Sequence, residues 1–177
     1  MSNLILQAAQ FAREKHHGQM RKYTGVPYIS HPARVAGRTA VHPEATEDMV
    51  AAAFLHDTLE DTDANAEELE DLFGTHVSDL VIDLSDPTHL SFGDTYKGVP
   101  RGKRKAIMRA SIAAAPRESR IIKLLDRIDN LREMPLTPLN SYIRMYLEES
   151  WRLAKAIGSA DQALMAELLE ICVLTDD

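Results

Sequence analysis

The stretch FLHDTLEDTD, residues 54–63, puts one imidazole and three carboxylates, His56, Asp57, Glu60 and Asp61, next to one another with no basic residue among them. It follows the apolar run VAAAFL, so a helix that reads as buried ends in acids. Adjacent helical residues point about 100° apart. Glu60 and Asp61 lie one turn beyond His56 and Asp57, over the same faces. Four such groups on one helix suit a divalent metal ion with acid–base residues beside it. Imidazole with carboxylate favours manganese, iron, zinc or a related ion over calcium. The plainer alternative is an acidic first turn for the next helix, with His56 a hydrogen-bonded core histidine.

Two further segments weigh against that alternative. YISHP places His31 at a helix start, and IIKLLDRIDNL places Asp126 after an apolar run, with Asn130 one turn later. A buried carboxylate is costly unless paired or metal-bound. The pairing choice for Asp126 is Lys123 or Arg127. The metal choice is one site from His31, His56, Asp57 and Asp126, two imidazoles and two carboxylates from three helices.

Helical periodicity supplies the elements that must hold these groups. Leu4, Ala8, Phe11 and Ala12 share one face. A second helix starts at His31-Pro32, with proline in the first turn. A third spans 44–59 and is almost wholly apolar from Met49 to Leu55, which makes it central. Further helices read at 64–73, stopped by Gly74, then 76–84, 103–115, 117–133, 138–157 and 160–173. Residues 85–102, SDPTHLSFGDTYKGVPRG, read as one long loop. No segment reads as a strand. The expectation is an all-α fold, one helical bundle of about eight to ten helices over residues 1–177.

The chain has 177 residues and a net charge of −7, which argues against general nucleic-acid binding. No apolar stretch approaches the length that spans a bilayer. The N-terminus lacks the marks of a signal peptide, and the single Cys172 permits no internal disulfide. A cytoplasmic protein is expected, with a homo-oligomer allowed for. Between Thr39 and Tyr96 there are fifteen acids and no Lys or Arg; between Lys97 and Arg132 there are eleven basic residues and three acids. Either the segregation is chance, or an acidic metal-holding half faces a basic half that receives an anion.

The H…HD…D pattern resembles the HD superfamily of metal-dependent phosphohydrolases. HHGQMRKYTGVPYISHPARVA, AAAFLHDTLEDTD and IIKLLDRIDNLREM are similar to the three signature segments of the Rel/SpoT hydrolase domain. The likeness runs from about residue 4 to 158 and leaves no room for synthetase or regulatory domains. The chain therefore resembles the stand-alone small alarmone hydrolases. The resemblance implies an HD-domain bundle that removes the 3′-pyrophosphate of (p)ppGpp, a small-molecule nucleotide, giving GDP or GTP. It implies Mn²⁺, or another first-row divalent ion, on His31, His56, Asp57 and Asp126. Glu60 and Asp61 would position or deprotonate the attacking water. Arg21 would stack on the purine and Lys22 meet phosphate. Asn130 would contact the nucleotide, and Arg144 and Tyr146 would line its pocket.

The chain also departs from the pattern. Tyr23-Thr24-Gly25-Val26 replaces the usual residues after the Arg-Lys pair, in the loop that abuts the base. Leu125 replaces a small residue before Asp126. Asp129 reads as an exposed acid. His89, Phe92 and Tyr96 are candidates for a lid over the pocket, against an ordinary surface loop. His16, His17, His42 and His76 read as surface or core polar residues, and Trp151 as core with Leu147 and Ala154. The rival readings are (p)ppApp or the 2′-phosphate of NADPH as substrate, and an inactive nucleotide-binding module. A nucleoside-triphosphate or 5′-nucleotide hydrolase fits the Arg-Lys…PYxxHP segment poorly.

Overall fold

A computed structural model describes residues 3–92, 98–135 and 139–173. The regular elements of the described residues are helices: α1 (Asn3–Lys15), α2 (Ser30–Ala40), α3 (Glu47–Leu55), α4 (Thr58–Asp61), α5 (Ala66–Phe73), α6 (Thr75–Leu84), α7 (Pro87–Phe92), α8 (Arg101–Ala114), α9 (Arg117–Glu133), α10 (Ser141–Ile157), a 3-10 turn (Gly158–Ala160) and α11 (Gln162–Val173). Extended pairing among them amounts to one isolated bridge, Met20 to Pro27.

Two helices make the centre. On α3, Met49, Val50, Ala51, Ala52, Ala53 and Leu55 are all buried. The three alanines let neighbouring backbones approach closely, and α1, α2, α6 and α9 pack around this helix. On α9, every residue from Ile121 to Asp129 is buried. Helix α9 packs on α2, α3, α6, α8, α10 and α11. Polar groups placed on α3 and α9 are thus carried into the interior by the apolar residues on either side.

The ends of the elements follow their side chains. Thr46 caps α3 by accepting from Met49 N, Asn65 caps α5 by accepting from Glu68 N, and Asn140 caps α10 by accepting from Tyr142 N and Ile143 N. Gly74, at φ 86°, makes the α5–α6 turn in a conformation open mainly to glycine. In the loop before α2, Gly25 at φ 67° lets the chain double back. Arg21 N then donates to Val26 O at 2.9 Å and Gly25 N to Arg21 O at 3.0 Å.

The helix expected over 44–59 is shorter and broken. It begins at Glu47, ends at Leu55, and resumes as the single turn α4. The break has a local cause: His56 Nδ1 donates to Ala53 O at 2.8 Å and Thr58 Oγ1 to Leu55 O at 2.7 Å. Side-chain donors thereby satisfy carbonyls at the end of α3. His56, Asp57, Glu60 and Asp61 therefore do not share one helix.

The stretch read as one loop over 85–102 contains α7. Asp86 Oδ1 accepts from Thr88 N at 2.9 Å and from Thr88 Oγ1 at 2.6 Å, with Pro87 as the first helical residue. Asp-Pro is a helix-start signal that the surrounding turn residues masked. Of the lid candidates, His89 lies on α7; Tyr96 and the side chain of Phe92 fall outside the described residues. Helix α10 starts at Ser141, three residues later than expected, and Pro138 falls outside the described residues. Trp151 is 47% exposed, a correction to its reading as core. The buried stripe of α10 runs through Ile143, Leu147, Ser150, Ala154 and Ile157, and Trp151 lies about 40° beyond its Leu147 edge. No described helix is long and apolar enough to cross a membrane.

Candidate functional site

The residues singled out from three distant segments converge. His31 comes from the first turn of α2, His56 and Asp57 from the α3–α4 break, and Asp126 from the middle of α9. His31 Nε2 lies 3.2 Å from His56 Nε2, 3.2 Å from Asp126 Oδ1 and 3.6 Å from Asp57 Oδ2. His56 Nε2 lies 3.1 Å from Asp57 Oδ2 and 3.7 Å from Asp126 Oδ1. Atoms bound to one cation at about 2.0–2.2 Å stand roughly 3.0–3.6 Å from one another, and the ligand atoms of His31, His56 and Asp126 all lie within 4.8 Å of one another, close enough for a shared ion, with Asp57 beside both imidazoles.

The chemistry of the donors fits a metal as well as the spacing does. His56 Nδ1 is taken by Ala53 O, and His31 Nδ1 by Asp129 Oδ2 at 2.6 Å. With Nδ1 as the donor in both rings, both Nε2 lone pairs face the centre beside two carboxylates. Two imidazole nitrogens and two carboxylates gathered in this way suit a bound cation. Two imidazoles and two carboxylates suit a divalent transition ion.

Electrostatics agree. Burial opposes protonation of His31, but the hydrogen bonds of Asp126 and Asp129 outweigh it and raise its pKa. Burial likewise opposes protonation of His56; Asp57 and Asp126 overcome it and hold the pKa well above the ordinary value. Asp57 and Asp126 move the other way: despite burial, the imidazoles, and for Asp126 first of all Lys123, keep both ionised far into acid. Glu60 is raised, chiefly by burial and further by Asp57, with Lys123 opposing. Asp61 is raised by burial and by Asp57.

Asp129 corrects the sequence reading. It is buried, not exposed, because α9 is enclosed on nearly every side. Beyond its bond to His31, it accepts from Arg34 Nε at 2.7 Å and Arg34 Nη2 at 2.9 Å. Burial resists its ionisation, yet His31 and Arg34 lower its pKa to about 2. Glu133, one turn on, accepts from Arg34 Nη2 at 2.8 Å, Arg21 Nε at 2.8 Å and Thr24 Oγ1 at 2.7 Å. This carboxylate ties the Arg21–Thr24 loop to α9. Both acids were legible only as charges in IIKLLDRIDNLREM; the basic partners that draw them inward lie about a hundred residues away.

Tyr28 also escaped notice, although it stands in the PYxxHP segment. Its hydroxyl donates to Asp57 Oδ2 at 2.7 Å and lies 3.0 Å from Asp61 Oδ2. His16 is buried, stacks on Tyr28 at 4.7 Å and meets Gln19 Oε1 at 2.8 Å, while Gln19 Nε2 donates to Asp61 O at 2.7 Å. The loop before α2 is thereby fastened to the acids of α4. His42 and His76 face Asp161 and Glu118, away from the centre.

A cleft of about 200 Å³ opens beside the His–Asp cluster, lined by the acids Asp57, Glu60 and Asp126 and by the cations Arg101, Lys105, Lys123 and Arg127. Tyr28, Asn130, Tyr142 and Tyr146 complete it. Acids of the 39–96 stretch, Asp57 and Glu60, and basic residues of the 97–132 stretch thus line one cleft. Asn130 Nδ2 donates to Asp126 Oδ1 at 2.6 Å, and Arg21 Nη2 donates to Asn130 Oδ1 at 2.8 Å. Arg21 also lies over the Tyr28 ring at 5.3 Å, and Lys22 over Tyr142 at 4.9 Å. Arg144 is exposed and does not line the cleft, unlike Tyr146 on the same helix. The Lys123 partner proposed for Asp126 is also present: the ion pair measures 3.0 Å through Oδ2, leaving Oδ1 for the cluster.

Such a site can hold a divalent cation, activate a water with a raised carboxylate, and receive a polyanion. Residues 8–148 match the HD domain family. The guanosine-3′,5′-bis(diphosphate) 3′-pyrophosphohydrolase MESH1 of Danio rerio is 30% identical over 177 residues, covering 95% of this chain and 92% of that protein. The protein of the same name from Homo sapiens is 40% identical over 136 residues, 73% of this chain and 69% of that one. A solved structure described as a metazoan ortholog of SpoT that hydrolyzes ppGpp superposes with a TM-score of 0.83 at 30% identity, over 97% of this chain and 94% of that chain.

Proposed function

The chain belongs to the HD domain family, and on that premise we propose that it is a metal-dependent (p)ppGpp 3′-pyrophosphohydrolase, one HD-type domain acting in the cytoplasm. The observation that carries this reading is the convergence of His31, His56, Asp57 and Asp126 beside Glu60, in a cleft also lined by Arg101, Lys105, Lys123 and Arg127. In this reading the four residues hold Mn²⁺. The ion they would hold would supply Lewis-acid chemistry, polarising a phosphoryl oxygen and acidifying water. Glu60 takes the proton of the attacking water. Asp61, fixed by Gln19 and Tyr28, orients that water. Arg21 gives a planar cation for the purine, since guanidinium stacks on rings better than ammonium. Lys22 and Asn130 contact the nucleotide, and Tyr146 lines its pocket.

The deciding measurement is product analysis with ppGpp and ppApp, with and without chelator. GDP and pyrophosphate from ppGpp, lost on chelation, support the reading. Preference for ppApp would move it to an adenine alarmone, and nucleotide binding with no turnover in Mn²⁺ would make the chain a binding module.

Two predictions belong to this centre. Asp129→Asn keeps the shape but removes the charge that fixes His31 Nδ1–H; manganese affinity is expected to fall about ten- to a hundredfold. Calorimetric titration reads this directly, and parent-like affinity would show that Asp129 only anchors Arg34. The second concerns protons. His31 and His56 carry raised pKa values in the metal-free chain, so below those values the cation must displace protons. Metal affinity therefore weakens as pH falls through the raised values and levels off above them. Titration in buffers of different ionisation enthalpy should show proton release; none would mean that the imidazoles are not ligands.

A further inference from the structure

A second cavity, of about 680 Å³, shares no lining residue with the cleft. Its volume is in the range of small-molecule sites. Arg34, Gly37, Arg38 and Val41 line it from one face of α2 and its end, at i, i+3, i+4 and i+7. Arg132 of α9 and Val26 of the loop before α2 line it as well. Gly37 leaves room: a Cβ there would meet nothing within 4 Å. Val26 and Val41 are exposed. The guanidiniums stand outside their carboxylates. Side-chain exposure is 43% for Arg34 and 57% for Arg132, against 8% for Asp129 and 7% for Glu133. Two of the carboxylates are also shared. Arg38 forks onto Glu167 at 2.9 and 2.7 Å, and Arg132 Nη2 lies 2.9 Å from the same Glu167 Oε1. Glu133 serves both Arg21 and Arg34. Four arginines, Arg21, Arg34, Arg38 and Arg132, thus meet three carboxylates, Asp129, Glu133 and Glu167, which leaves one positive charge in excess. Arg34 spends Nε and Nη2 on its carboxylates, and its Nη1 makes no hydrogen bond among the described residues. An anion entering this cavity meets cations first.

We propose that this cavity is a second ligand site, separate from the metal cleft, for a phosphate carried on a planar aromatic body, the chemistry of a nucleoside 5′-phosphate. Arg38 and Arg132 bind the phosphate, which competes with Glu167 for their donors; guanidinium grips phosphate with two parallel hydrogen bonds. The planar body lies along the space above Gly37, between the exposed valines, and Arg34 offers it a flat cation to stack on. The cations lining the cavity are three arginines and no lysine. That choice suits two-pronged and stacked recognition better than attraction of a bare ion. The site stands apart from the hydrolase reading, since none of its residues holds the proposed metal or lines the cleft.

The test is NMR titration of the full chain, nitrogen-15 labelled and held in magnesium to avoid paramagnetic manganese, with adenosine 5′-monophosphate, ribose 5-phosphate and orthophosphate. The amides of Gly37 and Val41 report this cavity, and those of Asn130 and Tyr146 report the cleft. The nucleotide is expected to shift Gly37 and Val41 and to saturate at about 1 mM or below. The two probes without a base should bind there at least about tenfold more weakly. Arg38→Met should cost the nucleotide about ten- to a hundredfold, while Glu167 keeps Arg132 as its partner. Glu167→Gln removes the competing charge and should tighten binding severalfold, a direction that a merely structural role for this carboxylate does not give. Should Arg38→Met lose its fold by circular dichroism, Arg132→Met takes its place. Shifts confined to the cleft amides, parental affinity in the folded arginine variant, or no tightening in Glu167→Gln overturn the site. Orthophosphate binding as tightly as the nucleotide overturns the aromatic ligand. Turnover of ppGpp is a separate measurement, and its absence would leave this site standing.

Discussion

Glu60→Gln is expected to lower kcat on ppGpp by about a hundred- to ten-thousandfold while manganese content stays at the parental level. Glu60 is separate from the four converging donors, and one of its oxygens accepts from Asp86 N at 2.8 Å. A glutamine amide oxygen keeps that bond, so the start of α7 stays in place and only the proton acceptor is removed. Burial is the first cause of the raised Glu60 pKa, and Asp57 adds to it. A base tuned upward from the ordinary carboxylate range is better matched to neutral pH. The sign follows: Glu60 works when ionised, so activity rises with pH through its pKa and is flat above. Residual activity of the variant should lack that rising limb. Two outcomes would remove the role: parental turnover, or loss of the metal together with the activity.

The parts of this site differ in how they could be read from the chain. His31, His56, Asp57 and Asp126 announce themselves because each is a polar group set against an apolar run, where burial leaves few uses for it. The helix that leads into His56 and Asp57 was legible for the same reason: α3 is apolar enough to be central. What failed were features decided by partners far along the chain. Asp129 becomes interior because Arg34 and His31 meet it from α2. Glu133 acquires its role from Arg21, Thr24 and Arg34. The break after Leu55 depends on the side chains of His56 and Thr58 turning back onto carbonyls, a competition that hydrophobic periodicity does not register. The segregated charge of the two halves was visible, but only the fold brings Asp57 and Glu60 into one cleft with Arg101, Lys105, Lys123 and Arg127.

Asp126→Asn should have the second large effect, and of a different kind: loss of metal together with loss of stability. Asp126 Oδ1 faces His31 Nε2 at 3.2 Å and accepts from Asn130, while Oδ2 holds Lys123 Nζ at 3.0 Å. Both partners of that pair are buried, each 6% exposed, and among the described residues Lys123 Nζ otherwise meets only Leu84 O at 3.1 Å. An exposed pair would contribute about 1 kcal/mol or less. Here asparagine leaves an ammonium ion in the interior without its counter-charge, which costs about 3–5 kcal/mol. The comparison is made between metal-free proteins by urea unfolding, because the parent's bound metal would add its own stabilisation. The double variant Asp126→Asn/Lys123→Met separates the two roles. Removing the orphaned cation should restore most of the unfolding midpoint, and manganese should remain absent. A single variant as stable as the metal-free parent would mean that Lys123 finds another partner, and manganese retained in either variant would remove Asp126 from the ligand set.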